Sequence, residues 1–455
     1  MKKTAPFVLF AAILSQPALA QKQWSLRECC DYAVSHNISI LQQENLRRQQ
    51  ELQLSTARNS RLPDLNGSVG QNFSFGRGLT AENTYSNTNT SSTSFSLGTS
   101  VPLFTGFQIP NQIKLSQLNL EAATQDLEKA KNDICMQVAQ AYVQILYDME
   151  ISDVAHRQVG IDSMQVVRLQ ALVDNGKASG AELSQQQATL ANSRLTATQA
   201  DNNRQFSLLT LTQLLELPTA DGFAVVRPDG VDGQNGLSGQ DGMKGSLFSG
   251  GAAVPSPDVI YAEALGIKPE IAAQELRLRA TDHSIKIAQA GYLPTLSLSG
   301  GLGSNYYTTS GFPSDAFSTQ LKNNFSQYIG FNLSVPIFNR FQTRNSIRNA
   351  RIEQANQQLR LDDTKKALYK EIQQACLNTT SAQAKYESST VAAKSSLDAF
   401  TLMQAKYENG KANITEFNEA KNNYLRAESD CVQARYELLY QQALIQFYRG
   451  RPLDF

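Results

Sequence analysis

The sequence predicts an α+β membrane protein built as a tandem structural repeat, in which four amphipathic strands are connected to two long helical hairpins. Three observations predict this fold class: motifs that occur twice at matched spacing, segments in which apolar and polar residues alternate, and long stretches with a seven-residue apolar repeat. Alternation is typical of a strand with one apolar face, whereas a sustained heptad repeat is typical of a coiled coil.

The repeat is visible in two pairs of motifs. The segment "SVPLF" at Ser100–Phe104 returns as "SVPIF" at Ser334–Phe338, and "NGKA" begins at Asn175 and again 234 positions later at Asn409. A fixed offset over such a distance indicates a duplication. We therefore divide the chain into a signal peptide at 1–20, a first repeat at 21–218, a linker at 219–257 and a second repeat at 258–455.

The first twenty residues have the features of a secretory signal peptide. Lys2 and Lys3 form a basic start, Pro6–Leu14 is an apolar core, and Ala18–Ala20 is a small-residue cleavage site. The apolar run is too short to span a bilayer, and the rest of the chain has no run of 18 apolar residues. The sequence thus predicts an exported protein without a membrane helix.

The linker at 219–257 has a glycine at every third position from Gly230 to Gly245. A collagen helix needs many more such triplets with abundant proline. A flexible surface insertion explains this composition better.

Composition and motif content exclude several classes of function. The 41 basic and 41 acidic side chains balance, so charge gives no reason to expect nucleic acid as a partner. His36, His156 and His283 lack acidic or cysteine partners at ligand spacing, and we expect them to be solvated or capping residues. The five cysteines form no CxxC pair, and we expect free buried thiols. We predict no enzyme activity, no cofactor and no metal centre.

Each repeat begins with a helix, at 25–60 and at 258–290, that ends before a Leu-Pro pair. Two strands of roughly ten residues follow in each repeat, within about 66–103 and about 294–338, with alternation of the kind seen for Ile329, Phe331 and Leu333. Polar segments such as residues 83–94, "NTYSNTNTSSTS", are expected to be the loops between paired strands.

Two long helical hairpins complete the repeats. Heptad spacing indicates a helix over 110–174, about 100 Å long, and a return helix over 181–217. The second copy has helices from about 343 to 408 and beyond the turn. Glycine supplies the backbone conformation that ends a helix, so the tips are predicted at 175–177 and 409–411.

The strands require an apolar environment on one face and water on the other. A soluble sandwich and a membrane barrel both satisfy the apolar face, but the opposite face is mainly Ser, Gly, Asn and Thr, which favours a water-filled lumen. Four strands cannot close a barrel, since about eight are needed. If these strands span a membrane, several chains must therefore each contribute four strands to one barrel.

The most specific motif follows the second long helix. Tyr407, Gly410, Glu416 and Ala420 fit the pattern Tyr-x-x-Gly-x-x-x-x-x-(Asp/Glu)-x-x-x-Ala. Together with "VPLFTGF" and "VPIFNRF" at the ends of strands, this motif resembles the TolC family of outer-membrane efflux proteins across essentially the whole mature chain. Two departures concern only the locking contacts: Phe417-Asn418 replaces a common Val-Leu, and Ala412 stands where some relatives have arginine.

The resemblance implies a homotrimer in the bacterial outer membrane, with a shared twelve-stranded β-barrel continuous with a periplasmic α-helical coiled-coil barrel that closes at its tip. It implies an exit duct for tripartite efflux pumps or type I secretion systems. The implied partners are outer-membrane lipid, a periplasmic adaptor (membrane fusion) protein and an inner-membrane transporter of the RND or ABC type.

Carboxylates near the tips are the candidate gate. Glu416 and Glu419 share a helix face, and Glu182 is the first-repeat equivalent of Glu416. If several chains converge there, these carboxylates form rings that favour weak cation binding and open when an adaptor binds. The alternative is that they are solvated helix-start acids stabilised by the helix dipole. Tyr407 could hydrogen-bond across hairpins or pack against the last turn.

The turns at the tips are the candidate adaptor-docking surface, and the alternative is plain turns with solubilising lysines. The docking residues are Asn175, Gly176, Lys177, Asn409, Gly410 and Lys411. For the whole protein, the sequence leaves three functions open: a duct for small molecules, a duct for secreted polypeptide, and a secreted coiled-coil structural protein or adhesin.

Overall fold

A computed structural model describes residues 23–79, 83–220, 222–227 and 255–453. The predicted signal peptide and most of the predicted linker lie outside these residues. The chain divides into two compact units. Among the described residues, the hairpin unit contains 23–41, 130–267 and 368–453, and the sheet unit contains 42–129 and 268–367.

In the described chain, each repeat has two helices, then two long strands, then two long helices, and the second repeat has an additional short helix between its strands. In chain order the elements are β1 (Gln23–Trp24), α1 (Leu26–His36), α2 (Ile38–Asn59), β2 (Asp64–Leu79), β3 (Tyr85–Thr105), α3 (Gln108–Asp174), α4 (Gly180–Leu214), β4 (Ala224–Val225), α5 (Pro257–Leu265), α6 (Pro269–Ala290), β5 (Thr295–Thr309), α7 (Phe317–Asn323), β6 (Ser326–Ser334), α8 (Gln342–Glu408) and α9 (Ile414–Tyr448).

The sheet unit is built on an antiparallel sheet in the order β2-β3-β5-β6. Large apolar side chains alternate along the strands and stand exposed, as at Val69, Phe75, Ile329 and Phe331. Polar residues of neighbouring strands hydrogen-bond across the opposite face, as Ser68 does with Ser96 at 2.7 Å. The sheet therefore has one apolar and one polar face, as the alternation predicts.

The sheet differs from the sequence prediction in its length. Residues 85–94, expected in a loop, belong to β3, which pairs with β2 from Asp64–Ser100 to Leu79–Tyr85. The loop prediction was wrong because the serine, threonine and asparagine side chains that are typical of a loop are equally typical of the polar face of a strand. The unpredicted helix α7 lies between strands β5 and β6. Strand β6 ends at Ser334, earlier than predicted, shortly before Pro336, which lacks a backbone N–H for strand pairing.

The two helices predicted before the strands are each broken. Asn37 interrupts the first: its Oδ1 accepts a hydrogen bond from the backbone N–H of Ser39 at 2.9 Å, and its Nδ2 donates to the carbonyl of Leu214 at 3.0 Å. Pro269 begins α6 after Leu265 ends α5, because proline is favoured at the first position of a helix.

The long hairpins have identical lengths in the two repeats. Helices α3 and α8 each have 67 residues, and α4 and α9 each have 35. Helices α3 and α8 each contribute residues to both units. Buried Val138, Ile145 and Leu146 belong to the apolar side of α3, while Ile372 and Ala375 hold the corresponding role on α8.

Candidate functional site: the hairpin tips and the seam above them

The two tips have the same backbone geometry. Gly176 and Gly410 adopt φ values of +69° and +70°, the left-handed conformation that glycine tolerates best. The N–H of Lys177 donates to the carbonyl of Leu172 at 2.8 Å, and that of Lys411 does the same to Lys406 at 2.8 Å. This pattern is the Schellman motif, so the repeated Asn-Gly-Lys ends each long helix in a defined turn.

Asparagine has a defined part in both turns. The Nδ2 of Asn175 donates to the carbonyl of Ala171 at 2.6 Å, and that of Asn409 donates to Ala405 at 2.7 Å. Both lysines and both asparagines of the tips are exposed. The tips are therefore well-ordered turns whose charged side chains are available to a partner.

Glu182 and Glu416 begin the return helices as members of capping boxes. Glu182 accepts from the backbone N–H of Ser179 at 3.4 Å, and Glu416 accepts from that of Asn413 at 3.1 Å. In return, the side chains of Ser179 and Asn413 accept from the N–H groups of the two glutamates. Within one chain, Glu182 and Glu416 therefore act as helix-start acids, which is the alternative to a gate that the sequence analysis gave. Both carboxylates remain exposed.

Glu416 and Glu419 line one groove of about 360 Å³ between α8 and α9. The opposite wall includes Ser395, Ser396 and Met403 of α8. The groove brings the two carboxylates together on one face, as their three-residue spacing implies. Glu182 belongs to the other hairpin and does not line this groove.

Tyr407 packs at the last turn of α8. Its ring stacks on Phe417 with centroids 5.0 Å apart, and the guanidinium of Arg168 lies 5.0 Å from the ring centroid. Arg168 also donates to the backbone carbonyl of Glu408 at 3.0 Å. Burial raises the pKa of Tyr407, and the positive charge of Arg168 opposes that rise. Tyr407 is therefore part of a contact between the two hairpins of one chain.

A buried ion pair that was not predicted from the sequence lies above the tips. The Nζ of Lys421 on α9 donates to Oδ1 of Asp162 on α3, and both side chains are 0% exposed. Gln186 and Ser193 of α4 also donate to the Asp162 carboxylate. Asn418 of α9 donates to Oε1 of Gln186 at 3.2 Å. The network joins three helices from two hairpins.

Two further ion pairs join α3 to α9 farther from the tips. Arg157 donates to Glu428 at 2.7 Å, and Arg435 lies 3.7 Å from Glu150. Burial raises the pKa of Glu150, against the opposing charge of Arg435. We call these pairs the α3–α9 ladder, with the rungs Asp162–Lys421, Arg157–Glu428 and Glu150–Arg435. The sequence contains one indication of the ladder: Lys421, Glu428 and Arg435 are spaced seven residues apart, which places charges of alternating sign on one face of α9.

The prediction for His156 holds in part: its side chain is 56% exposed, as expected of a solvated histidine, but the expectation that it lacks an acidic partner was wrong. His156 does have an acidic partner: its Nε2 lies 3.0 Å from Oδ2 of Asp201, across the first hairpin. A hydrogen bond from Ser152 at 2.6 Å, followed by the contact with His156, lowers the pKa of Asp201. Within the described residues no cluster of three or more His, Cys, Asp or Glu side chains could hold a metal ion.

The cysteines lie in both hairpins and in α1, and all five are thiols. Cys29, Cys30 and Cys376 are buried. The Sγ of Cys30 lies 3.9 Å from the carbonyl oxygen of Cys135. A hydrogen bond to Cys135 together with burial raises the pKa of the Cys30 thiol.

The fold is that of solved outer membrane proteins. The crystal structure of the outer membrane protein VceC from Vibrio cholerae is similar with a TM-score of 0.72 at 16% identity, over 94% of this chain and 96% of that one. None of the described helices combines the length and the apolar character that crossing a bilayer requires.

The profile of the outer membrane efflux protein family matches residues 30–216 and 260–451. The chain therefore belongs to that family, the TolC family, and its location is the outer membrane. It is 22% identical over 410 residues to the outer membrane efflux protein BepC of Brucella suis, covering 89% of this chain and 80% of BepC. It is 26% identical over 169 residues to TolC of Salmonella enteritidis, covering 36% of this chain and only 34% of TolC.

Proposed function

We propose that three copies of this chain form the outer-membrane exit duct of a tripartite efflux pump for small molecules. The observation that carries the proposal is the sheet, whose apolar side chains at Val69, Phe75, Ile329 and Phe331 are 71–78% exposed in one chain. Lipid hydrocarbon would cover such a face, and the polar face would line a water-filled bore.

The strand order supports assembly from several chains. In the described sheet, β2 and β6 are the outermost strands, and each pairs on one side only. An unpaired backbone group in hydrocarbon costs several kcal/mol, so an open sheet is unstable in the membrane. Three such sheets joined edge to edge would supply twelve strands, which is enough for a closed barrel.

The tips would form the periplasmic gate and the docking surface. In a trimer, Glu416 and Glu419 from each chain would form rings near the mouth, with Glu182 contributing from the other hairpin and Tyr407 fixing the last turn of α8. Crowded carboxylates favour bound cations, which predicts cation selectivity and weak cation binding. The exposed turns at Asn175–Lys177 and Asn409–Lys411 would contact a periplasmic adaptor coupled to an inner-membrane transporter of the RND or ABC type.

The test is conductance of protein purified from outer membranes in detergent and reconstituted in planar bilayers. We expect a small, cation-selective conductance that grows when Glu416 and Glu419 are both replaced by alanine. The matched control is Glu437→Ala, which removes an exposed carboxylate of α9 that pairs with Lys385 at 2.7 Å, well away from the tip. Equal conductance and selectivity in wild type and the double variant would remove the two tip glutamates from the gate.

The two other candidate functions make different predictions. A duct for type I secretion would have the same conductance but would not lower the accumulation of drugs in cells. Cells without the protein would instead retain a polypeptide that the wild type secretes. A secreted coiled-coil protein or adhesin would be recovered without detergent and would carry no current.

A further inference from the structure

Two cysteine side chains contact each other where α1 packs against α3. Cys30 of α1 is buried and Cys135 of α3 is half-buried. The Sγ of Cys30 lies 3.9 Å from the carbonyl oxygen of Cys135, and the Cys30 thiol also donates a hydrogen bond to the thiol of Cys135. The two residues are 105 positions apart, so the fold and not a local motif brings the sulfurs together.

A second contact holds the same two segments in place. The hydroxyl of Tyr142, seven positions after Cys135, donates to the carbonyl oxygen of Trp24 at 3.2 Å and to that of Val226 at 2.6 Å. Trp24 lies six positions before Cys30. Residues 24–30 therefore run antiparallel to α3 and are attached to it at both ends, which keeps the two sulfurs near each other in the folded protein.

The other three cysteines have different surroundings. The Sγ of Cys376 lies 4.0 Å from a proline carbonyl oxygen, and that of Cys431 lies 3.7 Å from a threonine hydroxyl. Cys29 is next to Cys30 in α1, and successive side chains of a helix point about 100° apart. Cys30 is therefore the cysteine of α1 that is directed to Cys135.

The compartment favours a bond between these sulfurs. The chain belongs to the outer membrane, and disulfides form and persist outside the reducing cytosol, including in the bacterial periplasm. We propose that Cys30 and Cys135 are joined by a disulfide in the outer-membrane protein, as a covalent bridge between α1 and α3. This inference goes beyond the proposed duct and does not depend on it.

The bridge closes a long loop of the chain. The loop contains all of α2, β2 and β3. Closing a loop of this length restricts the unfolded chain far more than the folded one, so the bridge stabilises the fold.

The bond forms by two exchange steps with an oxidant that is itself a disulfide. A hydrogen bond from Cys30 lowers the pKa of Cys135, against the opposing effects of burial and of nearby Asp31, so Cys135 releases its proton to solvent and attacks first. Its sulfur bonds to one half of the oxidant, and the other half leaves as a thiolate. The Cys30 thiol gives its proton to that thiolate, attacks the Sγ of Cys135 and expels the second half, which takes a proton from solvent. Two thiols are oxidised to one disulfide, and one oxidant disulfide is reduced to two thiols.

A count of free thiols tests the bridge directly. Cells are lysed in denaturant with N-ethylmaleimide, which modifies every free thiol, and the full-length protein is analysed by mass spectrometry with and without prior reduction. We expect three modified cysteines without reductant and all five with it. A tryptic digest without reductant should contain residues 28–47 linked to residues 132–157. Five modified cysteines without reductant, or a bridge that lacks Cys30 or Cys135, would overturn the proposal.

Variants assign the bond, because residues 28–47 contain both Cys29 and Cys30. Cys29→Ala should keep the linked peptides, whereas Cys30→Ser should lose them; the reverse pattern would place the bridge on Cys29 and overturn the proposal. Fragmentation of the linked wild-type peptides gives the same assignment if a variant does not fold. Reduced Cys30→Ser treated with oxidised glutathione should retain glutathione on Cys135, since no second thiol expels it, and reduced wild type should return to three free thiols. Wild type that keeps five free thiols in oxidised glutathione would show that the two sulfurs do not pair.

Thermal stability gives a readout that a change of packing alone would not produce. Reduced wild type, from cells grown with dithiothreitol, should melt about 3–8 °C below oxidised wild type in detergent. The matched control Cys431→Ala keeps the bridge and should show the same difference, whereas Cys135→Ala should show none. A wild-type midpoint that is the same in the reduced and oxidised protein would refute the stabilising role of the bridge.

Discussion

The buried Asp162–Lys421 pair makes a sharp prediction about stability. Lys421→Met removes the ammonium and leaves the Asp162 carboxylate at 0% exposure with only Gln186 and Ser193 as donors. The double variant Asp162→Leu/Lys421→Met removes both charges and fills the space with apolar side chains of similar volume. We expect the single variant to be the less stable of the two, although it changes fewer atoms.

The expected magnitudes follow from the partners that each variant leaves behind. Breaking a buried ion pair from one side costs about 3–5 kcal/mol, whereas replacing both members by apolar residues is often close to neutral. The double variant also deprives Gln186 of its bond to Asp162, and a buried donor without a partner costs about 1–3 kcal/mol. Ser193 keeps its bond to the carbonyl of Thr189 at 3.1 Å, so it adds little.

The assay is thermal denaturation of the detergent-purified protein, followed by circular dichroism at a fixed scan rate. Unfolding of an outer-membrane protein in detergent is expected to be irreversible, so the variants are compared by the order of their midpoints. We expect the highest midpoint for the wild type, a lower one for the double variant and the lowest one for Lys421→Met. A double variant that melts below Lys421→Met would refute the claim that an unpaired buried charge dominates this site.

Three further predictions concern the tips, the first hairpin and the thiols. Gly410→Ala should destabilise the tip by about 1–2 kcal/mol, because alanine is strained at φ +70°. Gly160→Ala inside α3, where the added methyl meets no atom within 4 Å, should stabilise the protein by about 0.5–1 kcal/mol. A thermal midpoint that rises for Gly410→Ala or falls for Gly160→Ala would contradict this. Asp201→Asn should cost about 1 kcal/mol at pH 7. Because folding lowers the pKa of the Asp201 carboxyl, the cost should begin to fall near the unfolded pKa of about 3.9 and disappear as the pH falls through the lower pKa of the folded protein; a pH-independent difference in midpoint would exclude that cause. In the reduced protein, iodoacetamide should modify buried Cys30 far more slowly than half-buried Cys431 until denaturant is added. Peptide mass spectrometry measures the two rates. Equal rates in the native protein would contradict the burial of α1 against α3.

Local backbone signals in this chain were predictive where one residue type has a single physical role. Gly176 and Gly410 end helices because a left-handed turn demands glycine, and the Asn-Gly-Lys copies could be recognised from that alone. The alternation at Ile329, Phe331 and Leu333 likewise has one explanation, a strand with an apolar face. Polar residues were less informative, because Ser, Thr and Asn at 85–94 are as typical of a loop as of the polar face of β3.

The candidate site could be located by sequence, but its contacts could not. Glu182 and Glu416 were recognised as tip carboxylates, and their capping boxes were in fact readable from Ser179 and Asn413 three positions earlier. Asp162 and Lys421 are 259 positions apart and belong to different repeats, so no local pattern pairs them. Only the packing of α3 against α9 brings that pair together, and the contact of His156 with Asp201 likewise depends on the packing of α3 against α4.

The ladder also shows how duplication and divergence can assign different roles to equivalent surfaces. Both repeats retain helices of equal length and the same turn, so the backbone alone does not distinguish them. The positions equivalent to the ladder residues of α3 are Ala384, Val391 and Ser396 on α8, and none of these side chains can form an ion pair. The three ion pairs are therefore specific to the contact between α3 and α9. The symmetry of the repeat does not predict them.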